Sequence, residues 1–323
     1  MSEFLQTTLV STLLKALPAR QLVSVKDSTT VEETFDVLLA NDIQAVPVWS
    51  EDEKQFISIV DVLDLLTYTA FQPVFEQELE DPSLIQQRAD FLQHPVREAI
   101  GLTRESERVW TINEDETISS LLTLMSNGIH RVLIPHTPHT ASRLVTQTDL
   151  LRFLFANNHH FDTILCIDAN KIMNKQQTQH PAHQNGIHGL SCTTISMHSR
   201  TIQGFKKMRN EGIRSLGVVD EEGILVATLS ASDLRGLNQS RLDQVLNPPL
   251  VFLRHVHGTL PPPHTCTQRF TLGQVIACLL FQNLSRVFVI EGTTLGESNP
   301  VGVISMSDVC CVFEEFGKGG FEE

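Results

Sequence analysis

The chain has 323 residues, 41% of them hydrophobic, enough to bury a sizeable interior and to suggest two domains of roughly 150 residues each. Its 24 basic and 38 acidic residues leave a formal charge of −14, which argues against general nucleic-acid binding and against docking on anionic lipid. The six cysteines form no CxxC pair, and no leader-like start or apolar run near ~20 residues occurs, so they predict reduced thiols in a soluble intracellular protein without a membrane span.

Residues 1–22 open with SEFLQTTLVSTLLKAL, in which Leu5, Leu9 and Leu13 share a stripe; this predicts an amphipathic helix packed on the first module. A helix then follows on Val31, Phe35 and Leu38, a strand from Ile43 to Trp49, a turn, a second strand and another helix, making a first unit over 23–70. Residues 71–108, with the acidic EQELEDPS, read as a linker. The second unit, 109–155, has its helix on Ile118, Leu121, Leu122 and Met125 and its strand from Ile129 to Ile134. Residues 156–193 read as a second linker whose middle, KQQTQHPAHQNGIHG, has the composition of a mobile loop. The third unit, 194–237, places a helix on Ile202, Phe205 and Met208 and a strand from Ile213 to Val219. After a linker over 238–266 the fourth unit, 267–316, repeats the pattern on Leu272, Val275, Ile276 and Leu279, with its strand from Leu284 to Ile290. Residues 317–323 form a tail.

Each unit ends alike. FISIVDVLDLL (56–66), SRLVTQTDLLRFL (142–154), VATLSASDLRGL (226–237) and VGVISMSDVCCVF (301–313) align on Asp64, Asp149, Asp233 and Asp308, separated by 85, 84 and 75 residues. Such a period belongs to a module rather than to a solenoid. The fold class that follows is mixed α/β of the α+β kind, built from four helix-strand-strand-helix units.

A hydroxyl residue three positions before an acid, at the start of an apolar helix, has two readings. It is a capping box that satisfies free helix amides with no ligand. It is also a place where a carboxylate can take two hydroxyl donors beside helix amides that favour an anion. Four copies at one point of a repeated unit add weight to an inherited cleft.

These residues carry a resemblance. NDIQAVPVW (41–49) with QFISIVDVLDLL (55–66), SNGIHRVLI (126–134), and NLSRVFVIEG (283–292) with VGVISMSDV (301–309) resemble cystathionine β-synthase (CBS) domains. The whole from about Val23 to Phe313 resembles the four-repeat γ subunit of AMP-activated protein kinase and its fungal and plant relatives. The resemblance implies two tandem Bateman modules in a disc, repeats one with two and three with four, with clefts that hold AMP, ADP or ATP. In that family Ser/Thr-x-x-Asp binds the nucleotide, the acid taking ribose hydroxyls while the hydroxyl and basic residues reach phosphate. Carried over residue by residue, this marks Thr146 and Asp149, Ser230 and Asp233, Ser305 and Asp308, and Asp64 with Asp61 in the hydroxyl's place. The matching basic residues are His130 and Arg131 in repeat two and Arg286 in repeat four, where Ser285 replaces the histidine. Gln44 stands where the family has a phosphate-binding arginine, and Thr148 where it often has a lysine.

Arg131 and Arg286 sit inside apolar runs, where a guanidinium needs an anion. That anion is a phosphate or an internal acid. Arg214, one position earlier in repeat three, is expected on the opposite strand face with a lesser role. Two acids in repeat one predict the cleft least able to hold a nucleotide, or one that recruits a cation. His159, His160, His180, His183 and His188 crowd the central linker but match no metal-site spacing, so no metal is expected. No nucleophile elbow, P-loop or dinucleotide fingerprint appears. The expectation is a non-enzymatic regulatory subunit without cofactor, cytoplasmic and also nuclear, acting in trans on the catalytic and scaffold subunits of a protein kinase. The alternatives are a stand-alone scaffold regulating a phosphatase or redox partner, and a metal-responsive adaptor using Asp61, Asp64 and the linker histidines.

Overall fold

A computed structural model describes residues 3–76, 89–136, 141–173, 192–291 and 299–320. The acidic stretch from residue 77 onward, most of the Gln/His-rich loop with His180, His183 and His188, and the last three residues lie outside them.

Each repeat builds one small sheet. In repeat one, Val25–Lys26 pairs parallel with Ala45–Ser50, which pairs antiparallel with Gln55–Asp61. Repeat three uses Thr194–Ser196, Ser215–Val219 and Leu225–Ser230 in the same order, and repeat four Thr265–Thr267, Arg286–Ile290 and Pro300–Ser305. Repeat two pairs Arg131–Ile134 with Arg143–Thr146, and its parallel edge is a single bridge from Thr111 to Leu133. The short parallel edge strands span only two or three residues, too few for a period to be read, so periodicity does not reveal them.

Every middle strand starts two residues later than the apolar run predicts, for one shared reason. The helices Val31–Ala40, Ile118–Ser126, Thr201–Glu211 and Leu272–Phe281 are each followed by a residue of positive φ: Asp42, Gly128, Gly212 and Asn283. The next N–H, of Ile43, Ile129, Ile213 or Leu284, returns to a carbonyl five residues back, at Leu38, Leu124, Met208 or Leu279. This is the left-handed closure that satisfies terminal carbonyls and seats an apolar residue against the last turn. The run therefore begins as a helix stop and becomes a strand only afterwards.

The chain divides into two compact units. One comprises Met1–Leu22, Trp110–Cys192 and His264–Glu323; the other comprises Val23–Val109 and Thr193–Pro263. Inside the first, helix Met306–Gly317 packs on Ile118–Ser126 around a core that includes Leu121, Met125, Phe161, Leu279 and Phe313. Inside the second, Val62–Ala70 packs on Thr201–Glu211 around Phe35, Leu66, Phe205 and Phe252. Within each unit alternate repeats share one core, because the helices' apolar stripes are buried there.

One further expectation changes. The N-terminal segment forms two short helices, Glu3–Thr7 and Val10–Ala16, and belongs with repeats two and four rather than the first module. Backbone bonds fix it: Val10 and Ser11 donate to Glu116 and Glu114 at 2.8 Å each, and Ile118 donates to Thr8 at 2.9 Å. At the end of the first linker the turns Ala89–Gln93 and Val96–Ala99 bury Phe91, Leu92 and Val96 against repeat one.

Candidate functional site

The four motif acids occupy the same local geometry. Oδ2 accepts the backbone N–H of the residue three positions earlier: Asp61 to Asp64 at 3.0 Å, Thr146 to Asp149 at 3.0 Å, Ser230 to Asp233 at 2.8 Å and Ser305 to Asp308 at 2.7 Å. In return the earlier side chain accepts from the first turn, at Leu63 and Asp64, at Asp149, at Ser232 and at Asp308. Each is a completed capping box. Three open α-helices, Val62–Ala70, Gln147–Ala156 and Met306–Gly317. The third opens only the single turn Ala231–Leu234, which Gly236 at φ +71° ends, so repeat three lacks the full helix expected there.

The repeats differ in what meets the other carboxylate oxygen. On Asp64, Oδ1 accepts the Thr103 N–H at 3.0 Å and the Ser106 hydroxyl at 2.5 Å, and both Asp61 and Asp64 are fully buried. On Asp149 it lies 3.6 Å from the exposed guanidinium of Arg20. On Asp233 it meets His257 Nε2 at 3.0 Å. Asp308 is half-buried. None of Thr103, Ser106, Arg20 or His257 was a sequence candidate, because each lies outside the repeats' periodic segments.

Protonation follows from these partners. Burial first, and then the Asp61 carboxylate, push Asp64 well above the usual carboxylate range. The hydrogen bond to Asp233, against partial burial and the nearby Arg235, raises His257 above its ordinary value.

Strand register sorts the basic residues. The N–H of the first residue after each cap position, at Val62, Gln147, Ala231 and Met306, donates to the carbonyls of Gln44, His130, Arg214 and Ser285. Those four are equivalent, and so are their successors, which pair across the strands: Ala45 with Asp61, Arg131 with Thr146, Ser215 with Ser230 and Arg286 with Ser305. Directly opposed residues share a face. Arginine therefore stands beside the box hydroxyl in repeats two and four, while repeats one and three offer Ala45 and Ser215.

Arg214 departs from the expectation of a lesser role. Its Nη2 forms ion pairs with Asp61 Oδ2 and with Glu105 Oε2, the latter at 2.6 Å, all three side chains being largely buried. Burial by itself would lower the guanidinium's pKa, and the Asp61 and Glu105 charges outweigh that and raise it. Asp61, the group considered as a cation ligand, thus has an arginine partner. Among the described residues no group of three His, Cys, Asp or Glu side chains is placed to hold a metal ion. No helix among them is long and apolar enough to cross a membrane.

Residues 14–70 match the CBS domain family. That match covers the first repeat, and the chain as a whole resembles CBS-domain proteins. It is 24% identical to the SNF1-related protein kinase regulatory subunit gamma-like PV42a of Arabidopsis thaliana, over 90% of both chains. It is 22% identical to Protein SDS23 of Candida albicans, over 88% of this chain but 49% of that one. Among solved structures, Protein MJ1225 of Methanocaldococcus jannaschii shares the fold, with a TM-score of 0.68 at 16% identity, covering 93% of this chain and 99% of that one. The resemblance to γ-type regulatory subunits and the mixed α/β architecture of repeated CBS units hold together on these grounds.

Proposed function

We propose that this chain is a non-catalytic regulatory subunit that binds an adenine nucleotide through repeats two and four and conveys occupancy to the catalytic and scaffold subunits of a protein kinase. The observation that carries the reading is the register that sets Arg131 beside Thr146 and Arg286 beside Ser305. A guanidinium next to a hydroxyl at a helix start suits phosphate, and the neighbouring carboxylates of Asp149 and Asp308 suit ribose hydroxyls. The motifs of repeats one and three, by contrast, lack that arginine, and Asp64 is already engaged. Similarity to PV42a supports the kinase partner, and ligand energy reaches it only through differential affinity for two states of the complex. The proposed location is the cytoplasm and nucleus.

Similarity to Protein SDS23 favours a second reading, a scaffold that regulates a partner with little nucleotide affinity. Calorimetric titration of the chain with AMP, ADP and ATP separates the two. Binding by at least one nucleotide is expected; silence with all three overturns the sensor reading in favour of the scaffold.

A further inference from the structure

We propose that residues 101–106 are a built-in occupant of repeat one, a loop whose hydroxyl and amide take the place of ligand hydroxyls on Asp64 and close that repeat permanently. The contacts are those a ribose would make. Ser106 Oγ donates to Asp64 Oδ1 at 2.5 Å, and the Thr103 N–H donates to the same oxygen at 3.0 Å. With Oδ2 held by the Asp61 N–H, both carboxylate oxygens are committed to the chain itself.

The loop is fixed from several sides. Ser106 is fully buried. Its hydroxyl accepts the Gly101 N–H at 3.0 Å, and its carbonyl accepts the Ser58 hydroxyl at 2.7 Å. Next to it Glu105 reaches Arg214, which also pairs with Asp61, so the residue just before strand Ser215–Val219 ties both the loop and the cap residue together. A buried donor or acceptor stripped of its partner costs more than an average hydrogen bond contributes, so this network resists opening. The three hydrogen bonds from Ser106, the Asp61 amide and Thr103 favour the charged carboxylate and work against the burial and the Asp61 charge that push its pKa up.

A consequence concerns Asp61. Restoring the family's hydroxyl there, Asp61→Thr, does not open a nucleotide site; it removes a partner of Arg214 and loosens the fold. The sequence alone suggests the opposite, that this substitution creates or strengthens a site.

The closure stands apart from the reading of repeats two and four, and the test separates them. Asp64→Asn, Ser106→Ala, the double variant and Asp61→Thr are compared with the parent by thermal unfolding and by calorimetric titration with AMP. Asp64→Asn and Ser106→Ala should each lower Tm by about 3 °C or more, and the double variant should fall by clearly less than their sum. AMP stoichiometry should match the parent in every variant, Asp61→Thr included. Additive Tm losses, a gained AMP site in Asp61→Thr, or tenfold weaker AMP binding in Asp64→Asn with unchanged Tm would each overturn the proposal. If the parent binds no AMP, the sensor reading fails and the Tm coupling alone decides the closure. Should Asp64→Asn fail to fold, hydrogen exchange of the Thr103 amide in the parent and in Ser106→Ala decides. Protection in the parent and loss in the variant are expected, and an amide unprotected in the parent overturns the closure.

Discussion

The motif carboxylates divide their two oxygens between jobs. Oδ2 closes the capping box in all four repeats, which is a local stability function, while Oδ1 of Asp64, Asp149 and Asp233 meets Ser106, Arg20 and His257 respectively. The capping and ligand readings of Ser/Thr-x-x-Asp are therefore compatible on one residue. For repeats two and four, Arg131→Ala and Arg286→Ala should each weaken AMP binding by about 1–3 kcal/mol, the range for losing a charge-assisted hydrogen bond. Calorimetry checks this, and parent-like affinity in both would remove them from the site. His257 makes a prediction in pH. Its pKa is raised by Asp233, so its contribution is fully present below the unfolded value near 6.5 and is lost as pH rises through the raised folded value. His257→Asn keeps a donor but does not titrate, and should flatten the loss of stability that the parent shows as pH rises above about 6.5. Urea denaturation across that window reads it out; a curve identical to the parent's would mean the pair contributes nothing.

At the scale of elements, the recurring device is the left-handed helix stop, supplied by aspartate, glycine, glycine and asparagine in turn. These are the residues that tolerate positive φ best, glycine at least cost. At Gly212, φ is +64° and an added Cβ would meet nothing within 4 Å, so a substitution there exposes the backbone term alone. Gly212→Ala should destabilise by about 1–2 kcal/mol, and Asn283→Gly should be neutral or stabilising by up to about 1 kcal/mol. Chemical denaturation orders the two, and a reversed order would show that the helix stop is not governed by φ. The same device explains why apolar periodicity misplaced every middle strand by the same two residues: Ile43, Ile129, Ile213 and Leu284 are buried or half-buried as helix closures.

On the scale of the molecule, repeats two and four share one core with the N-terminal helices, so damage in one repeat should be felt in the other. Phe313 is fully buried and meets Phe161 edge-on at 5.1 Å. Phe313→Ala should cost about 3–5 kcal/mol. Hydrogen exchange should then quicken at Val132 and Val145 of repeat two as well as at Val287 and Ile304 of repeat four. Exchange confined to repeat four would mean that the repeats fold independently.

Periodicity in the chain was enough to determine four repeats, their helices except the last of repeat three, the antiparallel strand pairs and the acid at each final turn, because helix faces, β alternation and capping chemistry act over a few residues. It also marked Asp64, His130, Arg131, Thr146, Asp149, Ser230, Asp233, Arg286, Ser305 and Asp308 as candidates without ranking the repeats. Which repeats share a core was a tertiary matter, since apolar stripes of equal character do not name their partners. So was the role of Arg214, whose carboxylate partners lie more than a hundred residues away in sequence. The closing of Asp64 by Ser106 was equally hidden: a serine in an aperiodic segment has no signature until the fold buries it against an acid. Local chemistry repeats and can be read from the chain; long-range pairing depends on which surfaces meet, and that was settled only when the chain folded.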